Sequence, residues 1–163
     1  MNHISYISIG SNLGDRICNC NTAIKMLNHF SHVQKVSSFY ETEPWGYQDD
    51  FKYMNAVLKL KTKLNSRELL KELKVIEKKM GRKETNSIIY ESRIIDLDIL
   101  FFNNLIVNEK DLVIPHPKLY DRNYVLEPLA EIDSDFICPL KKKNISTILK
   151  LCDDKNKVVV YAH

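Results

Sequence analysis

The sequence predicts a single α+β domain over residues 1–163, with an antiparallel or mixed sheet and helices packed against it. Three observations predict this class. Segments with the alternating polarity of strands are interleaved with helical segments, but without the strict repetition of βαβ units. The chain has 163 residues, 44% of them hydrophobic, which is enough for a proper core. It contains only 4 Gly and 5 Pro, so long low-complexity segments are not expected.

The first part of the chain is predicted to contain a strand, a helix and two further strands. Residues 3–10 alternate like a strand and end in a Gly-Ser-Asn turn, and residues 15–30 have loosely helical apolar spacing. Residues 33–42 and 53–62 alternate like strands, and the loop EPWGYQDDF lies between them.

The clearest predicted helix follows these strands. Asn65 is the expected N-cap, Glu68 completes a capping box, and Gly81 is the expected end. Its apolar stripe consists of Leu69, Leu73, Ile76 and Met80.

The second part of the chain begins with an irregular loop and a strand. The loop covers residues 82–92, and the strand lies within RIIDLDILFF (93–102). A short helix near 145–151 and a last strand at 158–161 complete the prediction.

Two aspartates, one residue apart, interrupt RIIDLDILFF, the most apolar stretch of the chain. In a strand, Asp96 and Asp98 share one face and the apolar residues beside them share the other. Carboxylates about 6–7 Å apart repel by on the order of 2–3 kcal/mol at an effective dielectric constant near 20. A raised pKa, a cation such as Arg93, or bound Mg²⁺ would offset this repulsion. An exposed sheet face would also tolerate both carboxylates.

The charge and the chain termini limit the function classes. The formal net charge of +3 is too small to indicate nucleic-acid binding and is compatible with anionic small molecules. The N-terminus lacks a signal-peptide pattern and no stretch reaches 18 apolar residues, so we expect a cytoplasmic protein without a membrane segment. The four cysteines have neither CxxC nor zinc-site spacing and are expected to be reduced thiols.

Four other stretches could contribute to a site, and each has an ordinary structural alternative. GSNLGDR (10–16) lacks the glycine pattern of a phosphate loop and is predicted to be a turn. Trp45, within TEPWG, together with Tyr53 and Asn55, could stack on and hydrogen-bond a flat heterocycle, or could pack in the core.

The other two stretches could bind anions. His116, between two prolines in IPHP (114–117), could face an anion or could be an ordinary hydrogen-bonding group. Arg82, Arg93 and Arg122 could bind phosphate oxygens in pairs or could lie on the surface.

Taken together and in order, these motifs are similar to those of a known enzyme family. GSNLGDR, YETEPWG, Tyr53 with Asn55, the helix ending in Gly-Arg, RIIDLDILFF and IPHPKLYDRNYVLEPL closely resemble the 6-hydroxymethyl-7,8-dihydropterin pyrophosphokinase family of folate biosynthesis. The resemblance extends from about Ser5 to Ile132. It implies a ferredoxin-like fold with helices on one side of the sheet. It also implies transfer of the β,γ-diphosphate of ATP to the hydroxymethyl group of the pterin, with release of AMP.

The same resemblance implies the role of each site residue. Asp96 and Asp98 would hold two Mg²⁺ ions that bridge the triphosphate of the co-substrate ATP, and Arg82 and Arg93 would complete the catalytic set. The pterin would stack between Tyr53 and Tyr124 and would also contact Thr42, Pro44, Trp45 and Asn55. The nucleotide would contact Glu77, Arg82, Arg93, Ile99, His116 and Arg122. We expect a monomer whose partners are these small molecules, rather than nucleic acid or membrane.

The chain departs from the family in KETNSIIYES (83–92). Family members usually have further basic residues here and an aromatic-Gly-Pro-Arg tetrad, where this chain has Tyr-Glu-Ser-Arg (90–93) and Ile89 in place of a common arginine. Lys83 could substitute in part. Because this loop closes over nucleotide in the family, we expect a lower kcat more than a higher KM.

Two other function classes are less compatible with the sequence. A non-catalytic pterin or nucleotide binder would have lost the metal site or its arginines, whereas Asp96, Asp98, Arg82 and Arg93 are all present. An RNA-binding module on a ferredoxin-like sheet would need an RNP1-like strand, and the sequence contains no such stretch.

Overall fold

The elements alternate between strands and helices as the sequence predicts. The computed structural model describes residues 2–42, 52–81, 94–154, 156 and 158–162. In chain order the elements are β1 (His3–Ser11), α1 (Arg16–Leu27), β2 (Ser31–Val36), β3 (Phe39–Thr42), β4 (Tyr53–Thr62), α2 (Ser66–Lys79), β5 (Asp96–Phe102), β6 (Val107–Asn108), β7 (Val113–Ile114), a 3₁₀ turn (Leu119–Asp121), α3 (Asn123–Asp133), α4 (Ile145–Leu151) and β8 (Val159–Ala162).

The main sheet has six strands, and its pairings are all antiparallel. The strand order is β5-β1-β4-β3-β8, and β2 pairs with β4 beyond the end of β3. If β2 and β3 are counted as one interrupted strand, the first elements form a βαββαβ unit. The predicted α+β, ferredoxin-like fold is therefore confirmed, with β8 added at one edge.

Hydrophobic cores lie on both faces of this sheet. Helices α1 and α2 pack on one face, where Leu27 and Leu73 meet Ile7 and Leu58. Helices α3 and α4 pack on the other face, in a second core. The expectation that the helices lie on one side of the sheet is wrong for α3 and α4. Strands β1, β4 and β5 have apolar side chains on both faces, so the second apolar face is also covered by helices.

Helix α2 has the capping box that the sequence predicts. The Asn65 side chain accepts a hydrogen bond from the Glu68 N–H at 2.9 Å, and the Glu68 carboxylate accepts from the Asn65 N–H at 3.0 Å. Gly81, immediately after the helix, has φ of +99°, a conformation that glycine adopts without strain. The predicted start and end of this helix are confirmed.

The predicted strand 33–42 is interrupted in the structure. Ser37 exchanges hydrogen bonds with Val57 through both its N–H and its hydroxyl, at 2.9 Å each. The Ser38 N–H instead donates to the Glu131 carboxylate at 2.7 Å. The backbone turns toward α3 at this point, so β2 and β3 are separate strands.

Helix α3 was not assigned from the sequence. Pro128 lies inside it and cannot donate an intrahelical hydrogen bond, which hides the helical pattern. The buried residues Val125, Leu126, Leu129 and Ile132 nevertheless follow helical spacing. Helix α4 matches its predicted range. Within the described ranges, no helix combines the length and apolar character needed to span a bilayer.

We predict that Asn65→Ala lowers the free energy of unfolding by about 1 kcal/mol, because the substitution removes the N-cap acceptor. Chemical denaturation measures this change. Asn65→Asp keeps a side-chain oxygen at the same position and is the matched control. Equal destabilisation by both substitutions would contradict the role of the cap.

Candidate active site

The centre of the site is a row of residues that runs across three strands. In the register of the sheet, Gly10 of β1 lies opposite Asn55 of β4 and also opposite Asp96 of β5. Asp98 lies opposite Ser8 of β1, two residues along the strands from the pair of Gly10 and Asp96. Paired residues point to the same face, so both carboxylates and the Asn55 amide face the side covered by α3. Two strand spacings, about 10 Å, separate the Asn55 and Asp96 positions.

Gly10 is buried in the middle of this row, and two side chains of β4 lie close to its backbone. A Cβ atom at Gly10 would lie 3.1 Å from the Asn55 Oδ1 atom and 3.5 Å from the Tyr53 ring. A side chain at this position would therefore displace the Asn55 amide oxygen, whereas the distance to the Tyr53 ring is an ordinary van der Waals contact. The absence of a side chain at Gly10 lets the Asn55 amide lie close to the backbone of β1. The sequence does not assign this glycine a role in the site, although it is the first residue of the GSNLGDR motif.

A buried, hydrogen-bonded polar pair lies at the Asn55 end of the row. The buried Asn55 side chain donates a hydrogen bond from Nδ2 to the Thr42 hydroxyl at 2.8 Å. Tyr53 pairs with Thr42 across β3 and β4, so Thr42, Tyr53 and Asn55 share one face. The structure thus brings together three of the residues predicted to contact a pterin. Because Nδ2 donates one hydrogen to Thr42, the Asn55 amide is held in a fixed orientation.

A cavity of about 410 Å³ lies at the other end of the row, beside the outer edge of β5. It is bounded by α2, β5, the β6–β7 hairpin and the segment before α3. Its lining includes every described residue predicted to contact the nucleotide or the metal, namely Glu77, Asp96, Asp98, Ile99, His116 and Arg122. Residues separated by up to 45 positions in the sequence therefore meet in one cavity.

The edge of β5 carries backbone groups that face the cavity. The Leu97 N–H points away from β1 and donates to the buried Glu77 carboxylate at 2.9 Å. In a strand, the N–H groups of every second residue point to the same side, so the Ile99 N–H also points away from β1. A flat base at this edge could form hydrogen bonds with the Ile99 backbone. Glu77 has the additional role of joining α2 to the strand that carries the aspartates.

His116 is held as a neutral imidazole. Burial, together with the positive charge of Arg122, lowers its pKa to about 4, although Asp96 acts in the opposite direction. Its Nδ1 atom accepts a hydrogen bond from the Lys118 N–H at 3.1 Å. The remaining proton of the neutral ring is therefore on Nε2, which makes Nε2 a hydrogen-bond donor. A neutral donor suits a phosphate oxygen without adding a charge.

Helix α3 brings Arg122 and Tyr124 to the site. Arg122 is its N-cap residue, and the guanidinium carbon lies 5.8 Å from the centre of the Tyr124 ring. The far end of the helix is fastened to the sheet by the Glu131 carboxylate, which accepts from the Tyr40 hydroxyl, and by Asp133, which accepts from the Tyr6 hydroxyl. Burial and these carboxylates raise the pKa of both phenols, so each phenol remains a donor.

Three basic residues of the cavity were not predicted. Lys74 of α2, Lys110 of the β6–β7 turn and Lys118 before the 3₁₀ turn line it together with Leu70. Leu70, Lys74 and Glu77 have the i, i+4, i+7 spacing of one helical stripe, which is the signal that could have identified them. Arg67 pairs with Glu109 and with Asp111, the latter at 2.6 Å, and so holds this turn against α2.

The donor set at Asp96 and Asp98 fits Mg²⁺. Carboxylate oxygens are the protein ligands that Mg²⁺ prefers, and it commonly takes only one or two of them, the rest coming from water and substrate phosphates. Among the residues that the structure describes, no group of three or more potential metal ligands occurs. An ion at this pair would therefore be completed by the phosphates of a ligand in the adjoining cavity.

Four predicted site residues lie outside the described residues: Pro44, Trp45, Arg82 and Arg93. The same is true of the atypical segment 83–92. Their assignment remains the one made from the sequence.

Three comparisons relate this chain to known proteins. The model of the 7,8-dihydro-6-hydroxymethylpterin-pyrophosphokinase (HPPK) family matches residues 6–134. The 2-amino-4-hydroxy-6-hydroxymethyldihydropteridine pyrophosphokinase of Bacillus subtilis is 44% identical over 134 residues, which are 81% of this chain and 79% of that protein. The enzyme of the same name from Aquifex aeolicus is 40% identical over 138 residues, 85% of each chain.

Longer proteins contain a similar region. The folic acid synthesis protein fol1 of Pneumocystis carinii is 40% identical over 161 residues, which are 98% of this chain but only 22% of that protein. The crystal structure of a Plasmodium falciparum HPPK-DHPS triple mutant superposes with a TM-score of 0.76 at 17% identity, over 93% of this chain and 44% of that one. This chain thus spans less than half of the Plasmodium chain, and at such identity the likeness concerns the fold alone. The family match and the two bacterial relatives show that the chain belongs to the 7,8-dihydro-6-hydroxymethylpterin-pyrophosphokinase family.

Proposed function

We propose that the protein transfers the β,γ-diphosphate of ATP to the hydroxymethyl group of 6-hydroxymethyl-7,8-dihydropterin, giving the pterin diphosphate and AMP in folate biosynthesis. The observation that carries this proposal is the row of residues that runs from the hydrogen-bonded Asn55–Thr42 pair, past Gly10, to the cavity lined by Asp96 and Asp98. A flat heterocycle would bind at one end of this row and a nucleotide at the other. Their reacting groups would meet at the aspartates.

The pterin end of the row would bind and orient the acceptor. The rings of Tyr53 and Tyr124 would stack on the pterin, and Trp45 and Pro44 would contribute to its wall. The Asn55 amide and the Thr42 hydroxyl, which are already hydrogen-bonded to each other, would form hydrogen bonds with the polar edge of the heterocycle. These contacts would aim the hydroxymethyl group toward β5, which reduces the entropic cost of reaching the reactive geometry.

The nucleotide end would hold the donor by its base and by its phosphates. The Ile99 backbone would contact the adenine at the edge of β5. Arg122 and the Nε2–H of His116 would donate to phosphate oxygens, together with Arg82 and Arg93. His116 and Arg122 line the cavity without a bound ligand, so they would stabilise developing charge with little reorganisation.

The transfer itself needs no protein nucleophile. The hydroxymethyl oxygen forms a bond to the β-phosphorus, the bond from this phosphorus to the α,β-bridging oxygen breaks, and AMP leaves while the hydroxyl proton is released. Asp96 and Asp98 would hold two Mg²⁺ ions. Bound Mg²⁺ would neutralise the triphosphate charge and polarise the transferring phosphoryl group. The repulsion between the two carboxylates would then be offset by the metal charge.

The proposal has four further parts. Residues 1–163 form one pyrophosphokinase domain, since a single sheet supports both cores. The protein acts as a monomer and in the cytoplasm. Its partners are ATP and the pterin, rather than nucleic acid or membrane. The atypical 83–92 segment reduces kcat more than it raises either KM.

The first test is AMP release from ATP with Mg²⁺ and 6-hydroxymethyl-7,8-dihydropterin. We expect one AMP for each pterin diphosphate formed, because transfer of the β,γ-diphosphate leaves AMP as the only nucleotide product. Chromatographic separation of AMP and ADP measures this ratio. Formation of ADP, or pterin binding without any AMP, would rule out the proposed reaction.

The metal assignment is tested by Asp98→Ala. We expect AMP release to fall by about 10²–10³-fold or more, because the triphosphate loses its neutralising charge. Calorimetry should still detect weak binding of the pterin alone, since the Asn55–Thr42 pair is untouched. The matched control is Asp135→Ala, which removes the same charge at an exposed position after α3. An unchanged rate in Asp98→Ala would overturn the assignment.

The lowered pKa of His116 predicts a pH-dependent loss of stability. Between its folded pKa of about 4 and the unfolded value of 6.5, the unfolded state binds the proton and the folded state does not. The free energy of unfolding should therefore fall as pH drops from 7 to 5. His116→Gln removes this contribution, so we expect a smaller pH-dependent change in the variant when urea unfolding is measured at both pH values. An identical change in both proteins would mean that His116 titrates normally.

A further inference from the structure

The GSNLGDR motif contains a residue that the proposed reaction does not use. Arg16 is the first residue of α1 and reaches across to the sheet. Its Nη2 pairs with the Glu41 carboxylate at 2.8 Å, and its Nη1 donates to the Lys52 carbonyl at 2.8 Å. Its guanidinium carbon lies 5.5 Å from the centre of the Tyr161 ring in β8. We call this set of contacts the Arg16 clasp.

The Arg16 clasp contacts the two residues that directly precede Thr42 and Tyr53, which are proposed to face the pterin. Glu41 precedes Thr42 at the end of β3, and Lys52 precedes Tyr53 at the start of β4. Thr42 and Tyr53 are register partners. Side chains alternate along a strand, so Glu41 points to the face opposite Thr42. Arg16 therefore holds the ends of β3 and β4 together from the opposite face.

An arginine is well suited to this task. Its guanidinium is planar and its donors have fixed directions, so two partners held by different Nη atoms are held at a fixed separation. A lysine could pair with Glu41 but has a single flexible ammonium group. The Tyr161 ring covers the guanidinium at a distance typical of cation–π contacts.

The clasp is also partly shielded from water. The Arg16 and Glu41 side chains are 21% and 24% exposed, whereas Arg67 and its partner Asp111 are 45% and 64% exposed. Ion pairs on an open surface contribute little because water screens them, and partial burial strengthens the attraction. Among the arginine ion pairs of the described residues, the Arg16 pair is thus the better placed to fix backbone position.

We propose that Arg16 is a positioning residue for the acceptor: it sets the separation of Thr42 and Tyr53, and with it the affinity for the pterin. This inference rests on the proposed function. Arg16 acts through Glu41 and the Lys52 carbonyl, and it does not contact either substrate. The nucleotide cavity lies at the opposite edge of the sheet beyond β1, so ATP binding does not depend on the clasp.

The experiment uses Arg16→Ala and Arg16→Lys in the full chain. AMP release gives kcat and both KM values, and calorimetry gives the Kd for 6-hydroxymethyl-7,8-dihydropterin. We expect Arg16→Ala to raise the pterin KM and Kd by about tenfold or more, because small displacements of positioning groups are costly. The ATP KM should remain within about twofold. Arg16→Lys should fall between the wild type and Arg16→Ala.

Arg67→Ala is the matched control, since it removes an arginine that also has two partners, here the carboxylates of Glu109 and Asp111, but that holds a turn beside the other cavity. It should leave the pterin Kd unchanged. An unchanged pterin Kd in Arg16→Ala, or an equal rise in both KM values, would overturn the proposal. If Arg16→Ala does not fold, Arg16→Lys decides by the same criteria.

The outcomes for the two proposals differ. A wild type that binds the pterin but releases no AMP contradicts the proposed reaction, and the calorimetric comparison of the variants still decides the role of Arg16. A wild type that does not bind the pterin overturns both.

Discussion

The site depends on the register of β1 between β4 and β5. This register sets Gly10 opposite both Asn55 and Asp96, so the Asn55 amide and a carboxylate pair face the same side of the sheet. A shift of one residue in β5 would turn Asp96 and Asp98 into the core beneath α2 and would expose Leu97 and Ile99. Burying two charges in an apolar core is far too costly, so the register that forms the core also forms the site.

Packing on both faces of the sheet keeps this register unique. The face under α1 and α2 carries one hydrophobic core, whereas the other face carries a second core under α3 and α4 and, beside it, the row with Asn55, Asp96 and Asp98. The hydroxyls of Tyr6 and Tyr40 bond to carboxylates of α3 at the boundary between these regions. Through these bonds the sheet determines where the start of α3 lies, and with it Arg122 and Tyr124.

The two ends of the site are built differently. The proposed pterin end consists of side chains on paired strands, whose positions are set by the backbone hydrogen bonds and, in our proposal, by Arg16 on the opposite face. The proposed nucleotide cavity is formed at a sheet edge by separate elements, with Glu77 joining α2 to β5 and Arg67 holding the β6–β7 turn. Side chains on paired strands beside a cavity assembled from several elements would suit a flat heterocycle and a flexible triphosphate.

The sequence by itself determined the elements with strong local patterns and the presence of a carboxylate pair on one face. Helix α2 with its capping box and strand β4 follow from local hydrogen bonding and alternation, which act over a few residues. Helix α3, the break at Ser37–Ser38, the neutral state of His116 and the role of Gly10 were decided only by the tertiary structure. Each of these depends on a partner far along the chain, such as Glu131 for Ser38 and Asn55 for Gly10. Local periodicity carries no information about which distant group will lie within hydrogen-bonding or van der Waals distance.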